Sequence, residues 1–208
     1  MAKPAKATRA VSAVPDVPMA PSLLPPGNGP ASEGGTYIVL YGPPKSEKTT
    51  ACSTIPNAKW IVSDPNAVAT LRALNRMPRK ENFYAVKPLP EARDIVNKAV
   101  EIAATNGPEA LGCSCFIHDS ITTTNEWEQQ DVARASNQRF LGDSPKSNGW
   151  QHFNADMGLF IDDLAALSQY LPVIVIAHAS PRMDTSKGSW SGLSLPPKMA
   201  EKLGRTAN

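Results

Sequence analysis

Between Gly42 and Thr50 the chain reads Gly-Pro-Pro-Lys-Ser-Glu-Lys-Thr-Thr, and this stretch restricts the fold more than any other. Gly42, Lys48 and Thr49 keep the spacing of the phosphate-binding pattern G-x-x-x-x-G-K-[ST], which works only between a strand and a helix. The flanks comply. Thr36–Tyr41 is a continuous apolar run rich in β-formers, as expected of a strand buried on both faces of a parallel sheet. Lys48–Ile55 predicts a short helix stopped before Pro56. In such a loop the backbone N–H groups surround a phosphate and the helix N-terminus adds its dipole. Lys48 would reach the terminal phosphates, and Thr49 would ligate a magnesium ion through its hydroxyl. The expected phosphate-binding residues are therefore Gly42, Pro43, Pro44, Lys45, Ser46, Glu47, Lys48, Thr49 and Thr50. Glu47 departs from the pattern, because it stands where the second glycine belongs. A side chain there crowds a backbone that must approach phosphates closely, and its carboxylate repels them. Lys45 and Lys48 offset part of that charge.

Strands and helices alternate along the rest of the globular region. Ala58–Ser63, Phe83–Val86, Cys113–His118 and Val173–Ala177 predict strands. Asn66–Met77, Glu91–Thr105, Trp150–Tyr170 and Lys198–Leu203 predict helices. The segments 122–149 and 179–197 read as polar loops. Alternation of this kind specifies an α/β fold with a mainly parallel sheet flanked by helices.

Residues 1–35 carry many Pro, Ala, Ser and Gly and have no helical or strand period, which predicts a disordered tail. No apolar stretch is long enough for a bilayer span, and no apolar segment of the secretory type follows the basic N-terminus. Three cysteines, Cys52, Cys113 and Cys115, suit a reducing compartment such as the cytoplasm better than a disulfide framework. Reading residues 113–118 as a strand puts Cys113 and Cys115 on one face and His118 on the other, which argues against a metal site. The formal net charge of +2 is too mild to indicate nucleic acid by itself.

Phe116-Ile117-His118-Asp119-Ser120 runs from apolar residues to an acid at a strand's carboxyl end, where ligands bind in open α/β sheets. Asp119 would hold the magnesium, directly or through water; the alternative is a helix N-cap.

The segments "YGPPKSEKTT", "FIHDS" and "VIVIAHASP" with "LPPKMAEKL" resemble the RecA-like P-loop ATPases. They are most similar to small phage-type AAA-domain proteins related to single-strand annealing and recombination, here with a degenerate Walker A loop. The resemblance covers about Thr36–Leu203. It implies ATP and Mg²⁺ as cofactors, and an ATPase weakened by Glu47. It further implies a water-activating acid after the second strand, matched by Asp64, and a polar sensor after the strand following Asp119, matched by His178. Asp64-Pro65 reads equally well as a turn. Lys48, Asp64 and His178 are thus the expected catalytic set. Two DNA-touching loops are also implied: one near residues 122–149 with Arg134, Arg139 and Lys146, and one at 179–197 with Arg182, Lys187 and Trp190. Basic residues with an aromatic suit single-stranded DNA. A homo-oligomer or a recombination protein is the further partner expected, in a bacterial or phage-infected cytoplasm. RecA-like cores continue with more strands, so a fragment, a short sheet and an edge completed by a partner all stay open. The rival function is a nucleotide-dead P-loop relic that serves as a binding or scaffold protein.

Overall fold

The computed structural model describes residues 35–141, 148–184 and 188–207, and side chains throughout these except in 180–192. The tail expected at the N-terminus, Lys146 and Lys187 lie outside the described residues.

Five parallel strands form the sheet: β1 (Tyr37–Gly42), β2 (Lys59–Val62), β3 (Phe83–Ala85), β4 (Phe116–Asp119) and β5 (Val173–Asp184), in the order β1-β5-β4-β2-β3. The apolar runs of β2 and β4 lack alternation because both faces are covered; β1, expected to be buried on both faces, is an edge strand that leaves Ile38 and Tyr41 exposed. On one face lie α1 (Lys48–Cys52) and α2 (Pro65–Ala73), with Cys52, Ala67 and Leu71 packed on Trp60, Val62, Ile117, Ile174 and Ile176. On the other face lie α3 (Leu89–Asn106), α5 (Gly149–Ser168) and α6 (Pro197–Thr206). There Val96, Phe153, Phe160, Leu164 and Leu203 pack on Ile61, Phe116, Val173 and Val175. The expected α/β architecture holds.

Three further expectations need correction. Residues 121–135 are not loop but helix α4 (Ile121–Ala135). Its inward face carries Thr122, Thr124, Asn125 and Glu128, all buried, so it lacks the apolar stripe by which an amphipathic helix is read. Residues 179–184 and 188–193 are not loop either. β5 runs on past the sheet and turns back as β6 (Gly188–Leu193), giving an antiparallel hairpin with Arg182 opposite Trp190. Finally, Cys113 and Cys115 do not share a face. The strand starts only at Phe116, and Cys113 packs with the α3–α5 layer while Cys115 packs with the α1–α2 layer.

Candidate functional site: a phosphate loop at the carboxyl edge of the sheet

Alternation along the strands decides which side chains meet. Successive residues of a strand point to opposite faces. Ile117 and Ile176 pack on the α1–α2 layer. Two residues onward, Asp119 and His178 therefore point to that same side. Asp64 follows Val62 of the same layer by two positions. In this way Asp64, Asp119 and His178 emerge together beside the loop that joins β1 to α1.

That loop has an unusual backbone for its residue types. Lys45 has φ 65° and Glu47 has φ 60°. Both are in the left-handed region, which glycine enters without penalty and other L-residues enter at a cost of about 1–2 kcal/mol. Glu47 is the N-cap of α1 but makes no capping bond with its side chain. A Cβ at Gly42 would come within 2.8 Å of Ser46 Oγ, which would have to turn away from Lys48. The loop curls around Lys48, whose Nζ donates to the carbonyls of Gly42 at 2.8 Å and Pro43 at 2.9 Å and to Ser46 Oγ at 3.2 Å. Lys48 is buried. Burial lowers its pKa, while Asp119 and Asp64 act to raise it.

Thr49 Oγ1 donates to Asp119 Oδ2 at 2.7 Å. Asp119 does not cap α4; Ser120 does, accepting from the Thr123 N–H. The Asp119 carboxylate is thus left to the loop. Burial pushes it up to about 6; the Thr49 hydrogen bond lowers it, Asp64 raises it and Lys48 lowers it. Its carbonyl accepts from the N–H groups of both Ser63 and Asp64, which joins the ends of β2 and β4.

Asp64 serves two neighbours. Oδ1 caps α2 by accepting from the Asn66 N–H at 2.8 Å, and Oδ2 lies 3.6 Å from His178 Nε2. Asp64-Pro65 is therefore not a turn but the start of a helix, with Asp64 as N-cap and Pro65 as the first residue of α2. The His178 N–H donates to Thr122 Oγ1, and its carbonyl accepts from the Ser194 N–H beyond the hairpin. A cleft of about 520 Å³ opens over these groups, walled by Lys45–Thr50, Asp64, Asp119 and His178 and on its far side by Asn66 and Thr70 of α2.

A family model described as an AAA domain matches residues 35–206. The chain belongs to the AAA-domain family. It is accordingly a nucleotide-binding domain of the P-loop ATPase type, and the cleft is where an AAA domain of this topology offers its phosphate loop. No curated protein matches the chain.

Within this AAA domain, Pro44–Thr50, Asp64, Asp119 and His178 line one cleft, whereas Gly42 and Pro43 do not line it and meet it only through Lys48. Arg182 and Trp190 lie on the hairpin instead, and their side chains are outside the description. Arg134 ends α4, paired with Asp131, and Arg139 stacks its guanidinium on Phe140, itself highly exposed. The sequence reading missed Lys45 as a left-handed residue and the α2 wall. Nothing in a lysine signals positive φ, and Asn66 and Thr70 are ordinary helix residues.

No helix among the described residues is long and apolar enough to cross a membrane.

Proposed function

We propose that this AAA domain binds ATP with Mg²⁺ and hydrolyses it slowly, in phage or bacterial DNA recombination, replication or repair. The observation that carries the reading is the Thr49–Asp119 contact at the foot of the cleft, next to Lys48. Magnesium prefers a few hard protein oxygens completed by substrate phosphates, and a hydroxyl with a buried carboxylate is such a pair. When bound, the ion would neutralise charge on the terminal phosphates. Lys48 exchanges its loop acceptors for phosphate oxygens. Asp64 orients the attacking water, and its tie to α2 keeps it in place. His178 donates to the terminal phosphate and, through its own backbone bonds, connects that contact to α4 and to the base of the hairpin.

The hairpin is the proposed single-stranded DNA element, with Arg182 and Lys187 on phosphates and Trp190 stacked on a base. Its attachment through Ser194 to His178 supports coupling of nucleotide to DNA, which must be reciprocal. Glu47 favours a second reading. Its carboxylate lines the cleft, as in a nucleotide-dead relic that acts as a scaffold. The deciding experiment measures Mg²⁺-dependent ATP turnover with and without single-stranded DNA. The proposal expects slow turnover, raised by DNA and absent in Lys48→Ala. Absence of both turnover and ATP binding at millimolar nucleotide, with a folded protein, supports the scaffold. ATP turnover unchanged by DNA, with no DNA binding at low salt, removes the hairpin from the mechanism.

A further inference from the structure

A second cleft of about 530 Å³ lies at the opposite, amino-terminal end of β2. The α1–β2 turn forms one wall and the segment joining α2 to β3 forms the other. The cleft is independent of the nucleotide site and of the reading given to it.

Its cations stand on fixed backbone. Helix α2 ends with Asn75 in the left-handed conformation, at φ 52°, and the Arg76 N–H bonds back to the Leu71 carbonyl. This is the closure by which a helix C-terminus satisfies its last carbonyls. It aims the chain, and Arg76 with it, out of the helix along the cleft. Three residues later the Arg79 carbonyl accepts from the Asn82 N–H and starts a 3₁₀ turn, Lys80–Asn82. Across the cleft, Asn57 is also left-handed, at φ 55°. Its carboxamide donates to the Gly112 carbonyl at 2.8 Å and accepts from the buried Asn82 amide at 3.0 Å.

The charges are unbalanced. Both guanidiniums are exposed and line the cleft, and no acidic residue lines it. Among the described residues Arg76 Nη1 donates to Ser53 Oγ alone, at a long 3.3 Å. Arg79 has no side-chain partner among the described residues. Guanidinium groups in a fixed fork geometry suit phosphate oxygens. Ile55, Pro56, Met77 and Pro78 add apolar lining to the same cleft. Two arginines and apolar side chains lining one concavity of this size suit an organic ligand that carries phosphate.

We propose that this cleft binds a phosphate-bearing ligand, with Arg76 and Arg79 on the phosphate oxygens and Ile55, Met77 and Pro78 against its apolar part. The same chemistry could come from a free nucleotide or from the backbone of single-stranded nucleic acid.

Hydrogen exchange of the full chain distinguishes these sources from each other and from the phosphate loop. The probes are ADP and a short oligothymidylate, each read separately on the peptides covering 42–50, 53–57 and 76–82. Protection of both 53–57 and 76–82 by ADP identifies a nucleotide site. Protection by the oligothymidylate alone identifies a nucleic-acid backbone site. Either protection must be lost in Arg76→Gln/Arg79→Gln, with affinity falling at least about tenfold, while ADP protection of 42–50 is unchanged. Both side chains are exposed, so the double variant folds, which its circular dichroism checks. The Arg76→Lys/Arg79→Lys variant retains part of the affinity. If neither probe protects these segments, or if protection persists in the glutamine variant, the proposal is overturned.

Discussion

Thr49 and Asp119 stand 70 residues apart in the chain and share a hydrogen bond of 2.7 Å. One opens the helix after the phosphate loop and the other closes a strand two places away in the sheet. The bond keeps a buried carboxylate directed at the loop. It also eases the electrostatic conflict of the site, in which burial holds Asp119 up to about 6 and Asp64 adds to the shift.

That conflict has a sign. A carboxyl whose folded pKa lies above its unfolded value contributes stability at low pH that is lost as pH rises through the folded value. The ionised Asp119 therefore costs the ligand-free protein stability above about pH 6. Asp119→Asn should raise the melting temperature at pH 8, by on the order of 3 kcal/mol of stability at most, and have little effect at pH 4, close to the unfolded value. The same variant should lose Mg²⁺-dependent ATP binding. In the wild type that binding should weaken as pH falls through about 6. Thermal melts and nucleotide titrations at the two pH values check all three outcomes.

Lys45 and Glu47 hold left-handed conformations that glycine would adopt freely. Glycine is less restricted in the unfolded chain, which offsets part of the gain, so Glu47→Gly and Lys45→Gly should each stabilise by about 0.5–1 kcal/mol. Their effects on ATP should diverge. Removing the carboxylate relieves roughly 1 kcal/mol or more of repulsion, so Glu47→Gly tightens ATP about tenfold. Lys45→Gly removes a cation and should weaken it. Parallel denaturant and binding curves would expose the error if both variants moved ATP affinity the same way.

Asp64 caps α2 through one oxygen and faces His178 with the other. Asparagine caps as well as aspartate does. Asp64→Asn should thus keep the fold and ATP binding but cut turnover at least about a hundredfold, the low end of general-base contributions. Asp64→Ala should additionally cost about 1 kcal/mol of stability through the lost cap. Normal turnover in Asp64→Asn would rule out its role toward water.

The legible parts of this chain were those where period and spacing coincide. The strand before Gly42, the spacing to Lys48 and Thr49, and the acid closing "FIHD" together give the sheet, the loop and its partner carboxylate. The positions of Asp64 and His178 also follow, because strand alternation sends them to the face of Asp119. What stayed hidden had no apolar period. Helix α4 buries threonines, Asn125 and Glu128 where a stripe would be sought, and burial with the nearby Asp156 and Asp131 pushes Glu128 up to about 7. The hairpin after His178 is polar on both strands, so alternation could not mark it. The α2 wall of the cleft depends on how helices lie across the sheet, which no local pattern records.

The central claim is that Lys48 leaves its cage of Gly42, Pro43 and Ser46 acceptors to hold the phosphates of ATP, with magnesium on Thr49 and Asp119. Calorimetric titration of the full chain with ATP, with and without Mg²⁺, tests it most directly when repeated on Glu47→Gly and Lys48→Ala. Mg²⁺-dependent binding is expected in the wild type, with tighter binding in Glu47→Gly and none in Lys48→Ala. Equal affinity in all three proteins, or affinity indifferent to Mg²⁺, would contradict it.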